Sequence, residues 1–419
     1  METTMRYKKL IFALLLPVMI STHTSPINLW DETWKKIGLG IGTYIGISFI
    51  NSQLSKQFTQ KTIHPTPSQI NQKPSHPVIY DPRYNISLIN QGVDKFINPF
   101  DGYKYEKIAN YLLEENIVNG FHQPLPVSLT TLEKVHSREY LNDLKSSWNV
   151  AGKIMGSFEL AWIPNWIFQW KILTPMKAAL GGTLKAVDLV TKHNHDYAIN
   201  LGAGYHHAQS DSFPELGGYC AFGDIQLAVK KFHKSNPNGK VLIVDLDAHQ
   251  GNGYEYDLHS DPKVHFFDVY NKNEYPGYDK PNLKESYFLE RIWHRWIRSK
   301  QEEPNRKYIH YNHPLHQSCN DKEYLEIVKN DLETALKKFQ PDLIIYNAGT
   351  DILAGDPEGK FNLKEETIIT RDTLVFKHAF DHNTKIILLT SGGYTPQSAK
   401  VVSHSIHNIL NLAKDHNKS

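Results

Sequence analysis

The stretch VLIVDLDAHQGNG, which runs from Val241 to Gly253, decides the fold. Its first half is a short, continuous apolar run, which is typical of a β-strand buried on both faces. Its second half turns to Asp247, His249 and glycine, so side chains that can carry chemistry follow the strand directly. In open parallel sheets, ligand sites lie beyond the carboxyl ends of the strands. The stretch therefore predicts a buried strand that ends at a functional site.

Further apolar runs predict other strands of the same sheet, and amphipathic segments lie between them. The apolar residues of these segments recur at helical spacing. Strands that alternate with helices indicate an α/β fold, in which a central, mostly parallel sheet has helices on both faces. The predicted strands are 197–201, 241–246, 264–269, 343–347 and 386–390, and the predicted helices include 224–232, 322–339 and 364–380.

Composition narrows the class of protein. The chain has 419 residues, of which 40% are hydrophobic, so it can bury a sizeable core. Its formal net charge is only +2, and we therefore expect no direct binding to nucleic acid. Two cysteines, Cys220 and Cys319, exclude a disulfide scaffold and a thiolate zinc finger. We expect both to be free thiols.

The first 25 residues have the order of a secretory signal peptide. Basic residues precede an unbroken apolar run from Leu10 to Ile20, and small polar residues follow it. This order predicts export, as a secreted, periplasmic or membrane-tethered protein. The alternative is an uncleaved or disordered start on a cytoplasmic protein.

Residues 26–77 form a predicted N-terminal extension. Its apolar segment, 37–50, is shorter than the ~20 residues that a membrane-spanning helix needs. This segment either associates with a membrane surface or packs as a buried helix. Residues 51–77 are rich in Gln, Ser, Thr, Asn and Pro, which indicates a linker. One globular domain is expected over residues 78–419.

Two predicted strand ends offer ligands for a metal ion. Asp247 and His249 follow the first strand, and Asp351 follows the strand 343–347. Carboxylate oxygen and imidazole nitrogen are ligands that zinc accepts, and three protein ligands leave one position open for catalysis. The alternative is that these acids cap helices or accept hydrogen bonds from turn amides.

Two other strand ends offer acid–base groups. His206 and His207 follow the strand 197–201, and two imidazoles beside a metal-bound water suit general acid–base work near neutral pH. Tyr394 follows the strand 386–390 through a glycine pair. A tyrosine hydroxyl at such a turn can donate a hydrogen bond to an oxyanion.

Together these four segments closely resemble the zinc-dependent histone deacetylases of the arginase/deacetylase superfamily. The flanking sequence is most similar to class IV of that family. The resemblance covers residues 78–414 and implies a three-layer α/β fold whose active site lies at the carboxyl ends of the strands. Supporting stretches are residues 80–86, 98–101, 135–141, 181–183, 217–220, 268–271 and 275–277.

The resemblance implies a role for each candidate residue in the hydrolysis of N6-acyl-lysine in proteins or peptides. One zinc ion would be held by Asp247, His249 and Asp351. His207 would act as general base and then acid, with His206 as its electrostatic partner, and Tyr394 would donate to the oxyanion. Asp245 looks like the residue that orients His206. Asn252 stands where many relatives carry an acid that orients the other histidine. Substrate contacts are implied for Tyr205, Gly218, Tyr219 and Gly392, and a potassium ion for the neighbourhood of Asp245 and Asp268.

The length of the acyl group is left open by the sequence. Similarity to class IV favours long fatty acyl chains over acetyl. The aromatic segment Trp162 to Phe168 is then a candidate wall of an apolar channel. The alternative is that this segment packs in the core or at an interface, as aromatic side chains usually do.

Three other functions compete with a protein deacylase. A binuclear hydrolase of the arginase type needs further carboxylates, and glycines stand at the positions expected to supply them, Gly251 and Gly349. One metal ion is therefore favoured. A small-molecule amide hydrolase of the acetylpolyamine type would use the same site. A catalytically silent, exported binding module would keep the fold alone, and the intact set of candidate residues argues against it.

Overall fold

The computed structural model describes residues 74–86, 101–211, 218–276 and 309–416. These residues all belong to one unit that spans residues 67–419. The predicted signal peptide, the apolar segment 37–50 and most of the predicted linker lie outside the described residues, so the proposed division of the chain stays a prediction. Within the described ranges, no helix combines the length and the apolar character needed to cross a bilayer.

A parallel sheet of seven strands forms the centre of the described chain. Each neighbouring pair of strands is parallel, and the strands lie in the order β1-β2-β7-β6-β3-β4-β5. The predicted α/β fold with a parallel sheet is confirmed. The strands are β1 (Val78–Ile79), β2 (Tyr197–Asn200), β3 (Val241–Asp245), β4 (Val264–Asn271), β5 (Tyr311–Leu315), β6 (Leu343–Asn347) and β7 (Lys385–Leu389).

The central strands are buried on both faces because successive side chains point into two different cores. Leu242 and Val244 of β3 pack in one hydrophobic cluster, whereas Val241 and Ile243 pack in the other. Each fully buried aliphatic side chain of this kind contributes about 1.5–3 kcal/mol. Burial on both faces requires that successive residues of the strand are apolar, and this explains the continuous apolar run in the sequence.

Helices cover both faces of the sheet. Helix α5 (Thr174–Lys192) packs against β2 and α6 (Asp224–Ser235), whereas α11 (Ser398–His416) packs against both α1 (Lys104–Glu114) and α10 (Glu365–Asp381). In the described ranges the α-helices are α1 (Lys104–Glu114), α2 (Leu129–Leu132), α3 (Arg138–Asp143), α4 (Asn165–Phe168), α5 (Thr174–Lys192), α6 (Asp224–Ser235), α7 (Asn252–Leu258), α8 (Asp321–Glu326), α9 (Leu332–Phe339), α10 (Glu365–Asp381) and α11 (Ser398–His416). Short 3₁₀ turns lie at Pro82–Tyr84 and Phe158–Leu160, and π-helical turns at Asn149–Ile154, Gln169–Leu173 and Ile327–Asp331.

The structure differs from the predicted elements at the sheet edges and in one helix. Strand β1 has only two residues, too few for a periodic signal, and β5 contains Pro314, which is tolerated on an edge strand but weakens a strand pattern. The helical segment expected over residues 322–339 is present as a continuous helical run from Asp321 to Phe339. Within it a π-helical turn, Ile327–Asp331, joins α8 to α9 and shifts the helical periodicity without interrupting it.

The four strands that precede the predicted site residues are consecutive in the sheet. Strands β2, β7, β6 and β3 are neighbours in that order. Because these strands are parallel, their carboxyl ends meet at one edge of the sheet. Segments that are far apart in sequence are thereby brought to a single location.

Candidate active site

The three predicted metal ligands lie together at this edge. One side-chain ligand atom from each of Asp247, His249 and Asp351 lies within 4.8 Å of those of the other two, and all three residues are buried. His249 Nδ1 lies 3.1 Å from Asp247 Oδ1 and 2.9 Å from Asp351 Oδ2. This is the separation expected of groups that share one ion.

Backbone amides of the strand-end loops fix these carboxylates. The amide of His249 donates to Asp247 Oδ1 at 3.1 Å, and the amide of Ala248 donates to Asp351 Oδ1 at 2.9 Å. The second contact joins the loop after β3 to the loop after β6. The ligand set is therefore positioned by the backbone, before any ion binds.

The triad fits a divalent cation on charge and on donor chemistry. Burial, followed by the neighbouring Asp247, raises the pKa of Asp351 to about 7. Burial lowers the pKa of His249, but the two carboxylates outweigh it and raise that pKa well above the ordinary value. A site that takes up positive charge and offers oxygen and imidazole donors suits zinc.

The two adjacent histidines have different partners. His206 Nδ1 lies 2.8 Å from Asp245 Oδ2, and His207 Nδ1 lies 2.7 Å from Asn252 Oδ1. Burial lowers the pKa of His206, but the carboxylates of Asp245 and Asp247 raise it overall to about 9. For His207, burial and then the neighbouring His206 hold the pKa well below its ordinary value. The surroundings therefore favour the protonated form of His206 and the neutral form of His207.

The turn after β7 carries Tyr394 to the metal triad. Ser391 has a positive φ of 47°, and its hydroxyl donates to Asp247 Oδ2 at 3.0 Å. The amide of Gly392 donates to the same oxygen at 3.1 Å, and the amide of Tyr394 donates to Asp356 Oδ2 at 2.8 Å. Burial, and then the charges of Asp247 and Asp351, raise the pKa of Tyr394 well above its ordinary value. The phenol is thus kept protonated and able to donate.

Lys104 is a residue of this site that sequence reasoning missed. Its side chain is buried, and Nζ donates to the carbonyl oxygens of Ser391 at 2.6 Å and Gly392 at 2.8 Å. Burial lowers the pKa of Lys104 to about 8, although the charges of Asp351 and Asp247 oppose this shift. The lysine lies on α1, nearly 300 positions from the turn that it holds, and no local pattern in the sequence marks it.

A pocket of about 60 Å³ adjoins the triad. Its lining includes the four residues for which substrate contacts are predicted. This volume is several times the roughly 10–15 Å³ that one water molecule needs. The four are Tyr205, Gly218, Tyr219 and Gly392, and the apolar part of the lining includes Met155, Ile172 and Met176.

The aromatic segment 162–168 does not line this pocket. None of its residues is part of the lining. Phe168 is buried in the main core, whereas Trp162 and Trp166 are exposed. The channel prediction is therefore wrong for this segment, and the alternative of core and interface packing is favoured. The apolar wall comes instead from residues on either side of the segment, which periodicity alone could not single out.

A second group of buried acids lies beside the first. Asp268 Oδ2 accepts from the amide of Gly251 at 2.9 Å, and the carboxyl group of Asp268 is in hydrogen-bond contact with that of Glu255. Burial, and then the charges of Asp245 and Glu255, raise the pKa of Asp268 well above its ordinary value. Burial also raises the pKa of Glu255 to about 7. This is the neighbourhood for which the family resemblance implies potassium.

Fold and site together define an α/β protein with a buried acid–histidine centre at the carboxyl ends of parallel strands. Comparison with known proteins specifies the family. A family model described as the histone deacetylase domain matches residues 98–410. Histone deacetylase 2 of Arabidopsis thaliana is 37% identical over 334 residues, which cover 79% of this chain and 78% of that protein.

Two further comparisons agree. Histone deacetylase 1 of Homo sapiens is 24% identical over 308 residues, which cover 71% of this chain and 58% of that protein. The crystal structure of the HDA15 HD domain matches with a TM-score of 0.57 at 18% identity, over 81% of this chain and 88% of that structure, which supports the fold. The chain belongs to the histone deacetylase family. Membership supports lysine deacetylase activity on acetylated proteins, whereas the assignment to class IV stays a prediction.

Proposed function

We propose that this chain is a zinc-dependent hydrolase of the amide bond of N6-acyl-lysine in proteins. The observation that carries the proposal is the triad of Asp247, His249 and Asp351, with ligand atoms within 4.8 Å of one another at the sheet edge. These three residues would hold the ion. A bound zinc ion would polarise the amide carbonyl and lower the pKa of a water molecule toward ~7.

His207 is the proposed general base. Asn252 Oδ1 can only accept, so it holds the proton of His207 on Nδ1 and leaves Nε2 free to accept. The low pKa of His207 keeps the ring neutral, as a base requires. After taking the proton of the attacking water, the same nitrogen can return it to the departing lysine amine.

His206 and Tyr394 are the proposed stabilisers of the transition state. His206 carries a positive charge, and its Nε2 lies 3.5 Å from Asp247 Oδ1, at the inner edge of the site. The Tyr394 hydroxyl stays protonated and would donate to the oxyanion. Tyr205, Gly218, Tyr219 and Gly392 would contact the substrate, since all four line the pocket.

The pocket is the proposed seat of the acyl group. Its volume of about 60 Å³ accommodates acetyl as it stands. A long fatty chain would require its walls to move, and two of them are methionines, Met155 and Met176, whose flexible side chains adapt readily. We expect hydrolysis of acetyl-lysine and, once these side chains move, of longer acyl groups. Hydrolysis rates on acetyl-, octanoyl- and myristoyl-lysine peptides test this expectation. A strict preference for acetyl would contradict the expected activity on long acyl chains.

The central test is the metal dependence of hydrolysis. The full chain should hydrolyse an acetyl-lysine peptide, lose the activity after chelation and regain it with zinc. Asp247→Ala should contain no zinc and show no turnover, whereas Asp143→Ala, at an exposed carboxylate, should match the wild type. Wild-type turnover in the presence of a chelator would overturn the proposal. A rate on acetylated polyamines above that on peptides would favour the small-molecule alternative, and zinc binding without turnover would favour the binding module.

A potassium ion near Asp245 and Asp268 is a further part of the proposal. The support is a pair of buried carboxyl groups, Asp268 and Glu255, whose pKa values are both raised, so that a cation beside them would be favoured. We expect Asp268→Asn to abolish any dependence of thermal stability on potassium, as measured against sodium at equal ionic strength. If potassium changed the thermal stability of the wild type and the variant equally, the proposed potassium site would be wrong.

Export is proposed on the N-terminal sequence alone. The apolar run from Leu10 to Ile20 behind basic residues supports it. We expect the mature protein to lack its first 25 residues or so, which N-terminal sequencing would establish. A cytosolic protein that retains these residues would support the cytoplasmic alternative. Membrane association through segment 37–50 rests on the same region and stays a prediction.

A further inference from the structure

Three tryptophans that are close together in sequence are exposed, and we call them the tryptophan face. Trp162, Trp166 and Trp170 expose 73%, 63% and 60% of their surface. Among the described residues only seven large apolar side chains are exposed, and four of them are tryptophans between positions 148 and 170. Isolated exposed apolar residues are ordinary, but a group of this size marks an interaction site.

The local helix explains why these side chains share one side. Trp166 lies in α4 and Trp170 in the π-helical turn that follows it. Residues four apart occupy adjacent turns on the same side of a helix. Phe168 and Ile172, two positions further along in each case, are buried in the main core. The segment is therefore amphipathic, and its indoles point away from the core.

The segment that carries the tryptophan face has a positive net charge. Between residues 143 and 178 the chain has four lysines and two acids, Asp143 and Glu159, which gives a charge of 4 − 2 = +2. The ammonium of Lys171 lies 4.2 Å from the centre of the Trp170 ring. The lysines are Lys145, Lys153, Lys171 and Lys177.

A concavity of about 270 Å³ opens beside Trp170. Its lining combines cationic and hydrogen-bonding side chains, including those of Arg83, Lys171 and Thr174. Arg83 also donates to the carbonyl oxygen of Pro124, next to Leu125, which is 85% exposed. Arg83 is already paired with Asp81, whose carboxylate lies 2.7 Å from its Nε and Nη2. Among the described lining residues, Lys171 is therefore the cation available to attract an anionic headgroup.

We propose that the tryptophan face docks on an anionic phospholipid bilayer. Tryptophan favours the membrane interface because its ring is apolar and its N–H is polar. Lys171, whose ammonium lies against the Trp170 ring, adds attraction to anionic headgroups. This inference goes beyond the proposed catalysis and does not depend on it.

Docking in this way would place the active site close to the bilayer. Adjacent residues of the same segment line the two cavities: Lys171 lines the outer concavity and Ile172 the pocket beside the triad. The same holds for Pro175 and Met176. Acylated proteins held at a membrane surface are the substrates that this arrangement favours.

A site-specific label tests the proposal without interference from the N-terminal extension. Both natural cysteines, Cys220 and Cys319, are buried, so Trp166→Cys in the full chain provides one surface thiol for a nitrobenzoxadiazole label. Vesicles of phosphatidylcholine and phosphatidylserine should shift its emission to the blue, and doxyl-labelled lipid should quench it. The matched control is Lys322→Cys on α8, whose side chain is 85% exposed and which should not respond.

Charge provides the second arm of the test. Lys153→Gln and Lys171→Gln should each raise the half-saturating lipid concentration about fivefold, as expected for loss of roughly one basic contact near an anionic surface. Phosphatidylcholine vesicles alone should bind more weakly. The proposal would be overturned if the emission of the label at position 166 did not change with vesicles while the chain still co-sedimented with them. Another part of the chain would then be responsible for the binding. A label already shielded before lipid is added would also overturn the proposal, and it would indicate a covering segment or, if concentration-dependent, a second copy.

Discussion

Two buried polar clusters lie behind the same strand ends, and they differ in charge balance. In the first, Arg371 is fully buried, and its Nε donates to Asp372 Oδ1 at 2.8 Å. Its Nη1 donates to the carbonyl oxygens of Leu246 at 3.0 Å and Gly349 at 2.7 Å. One cation thus meets one anion and two carbonyls, and the arginine joins the loops that carry the metal triad.

The second cluster is the metal triad itself. Asp247 and Asp351 bring two carboxylates to one imidazole, and the pKa shifts of Asp351 and His249 are both upward. A buried cluster that balances its own charge serves the architecture, whereas one that draws in positive charge serves binding. This difference separates the two clusters although both are buried and polar and lie behind the same strand-end loops.

The largest loss of stability is expected when the charge balance between Arg371 and Asp372 is broken. Asp372→Asn should lower the free energy of unfolding by about 3–5 kcal/mol, because it leaves the buried charge of Arg371 without its partner. Denaturant unfolding of the full chain measures this loss. It should be the same with zinc and with a chelator, because Asp372 is not a metal ligand.

Asp247→Asn is the matched substitution in the metal triad. Zinc at 1,000 times its Kd should stabilise the wild type by about 4.1 kcal/mol, and the variant should not respond. If zinc stabilised both proteins equally, or if Asp372→Asn also lost the response to zinc, the two clusters would not differ in the way described.

The next effect concerns the donor held against the triad. Tyr394→Phe should slow kcat by about 10² to 10³ fold, equivalent to roughly 2.7–4 kcal/mol, because a single oxyanion donor is lost. Its stability and zinc content should match the wild type. Steady-state kinetics on an acetyl-lysine peptide checks this, and near wild-type turnover would contradict the role of Tyr394.

A smaller effect is expected at Lys104. Lys104→Met should lower the free energy of unfolding by about 1.5–3 kcal/mol, since charge-assisted hydrogen bonds to Ser391 and Gly392 are lost. It should also reduce kcat more than it changes KM, because the turn before Tyr394 is released. Lys104→Arg keeps the charge and the donors and should restore most of both. Equal losses in the two variants would indicate a purely steric role.

The smallest predicted effect is a shift in the pH dependence of activity, which distinguishes His207 from His206. His207 works as a neutral base, so activity falls when pH drops through its pKa, which lies well below the ordinary value in the wild type. Asn252→Asp places a negative charge beside the ring and should raise that pKa by at least about one unit, or roughly 1.4 kcal/mol. The acidic limb of the kcat/KM profile should therefore move to higher pH. If the acidic limb did not move, a group other than His207 would be responsible for it.

The central strands and the site residues at their ends were predictable because their signals are local. An apolar run such as 241–245 is required by burial on both faces, and the polar residues that follow it mark the strand end. Edge strands β1 and β5 lack that two-sided burial and left no comparable signal. The Asn252 and Asp245 partners came only through the family resemblance, and the structure places each beside the expected histidine.

The remaining parts of the site depend on packing between distant segments. Lys104 reaches the turn after β7 from α1, and Met155 and Met176 reach the pocket from a helical region before β2. None of them stands beside a strand end, where ligand sites are expected. Arg371 likewise looks like an ordinary residue of an amphipathic helix. Its buried ion pair exists only once α10 lies against the loops that it joins.

The glycine at position 349 has an evolutionary consequence. A Cβ atom there would lie 2.2 Å from Asp247 Oδ2, and one at Gly251 would lie 2.2 Å from the ring of Tyr254. Contacts this short do not occur between real atoms, so a side chain at either place would first have to displace its neighbour. At Gly251 the obstacle is a side chain alone, whereas a Cβ at Gly349 would also lie 2.6 Å from the Cα of Asp247. A lineage that gained a second carboxylate at position 349 would therefore also need the loop after β3 to move.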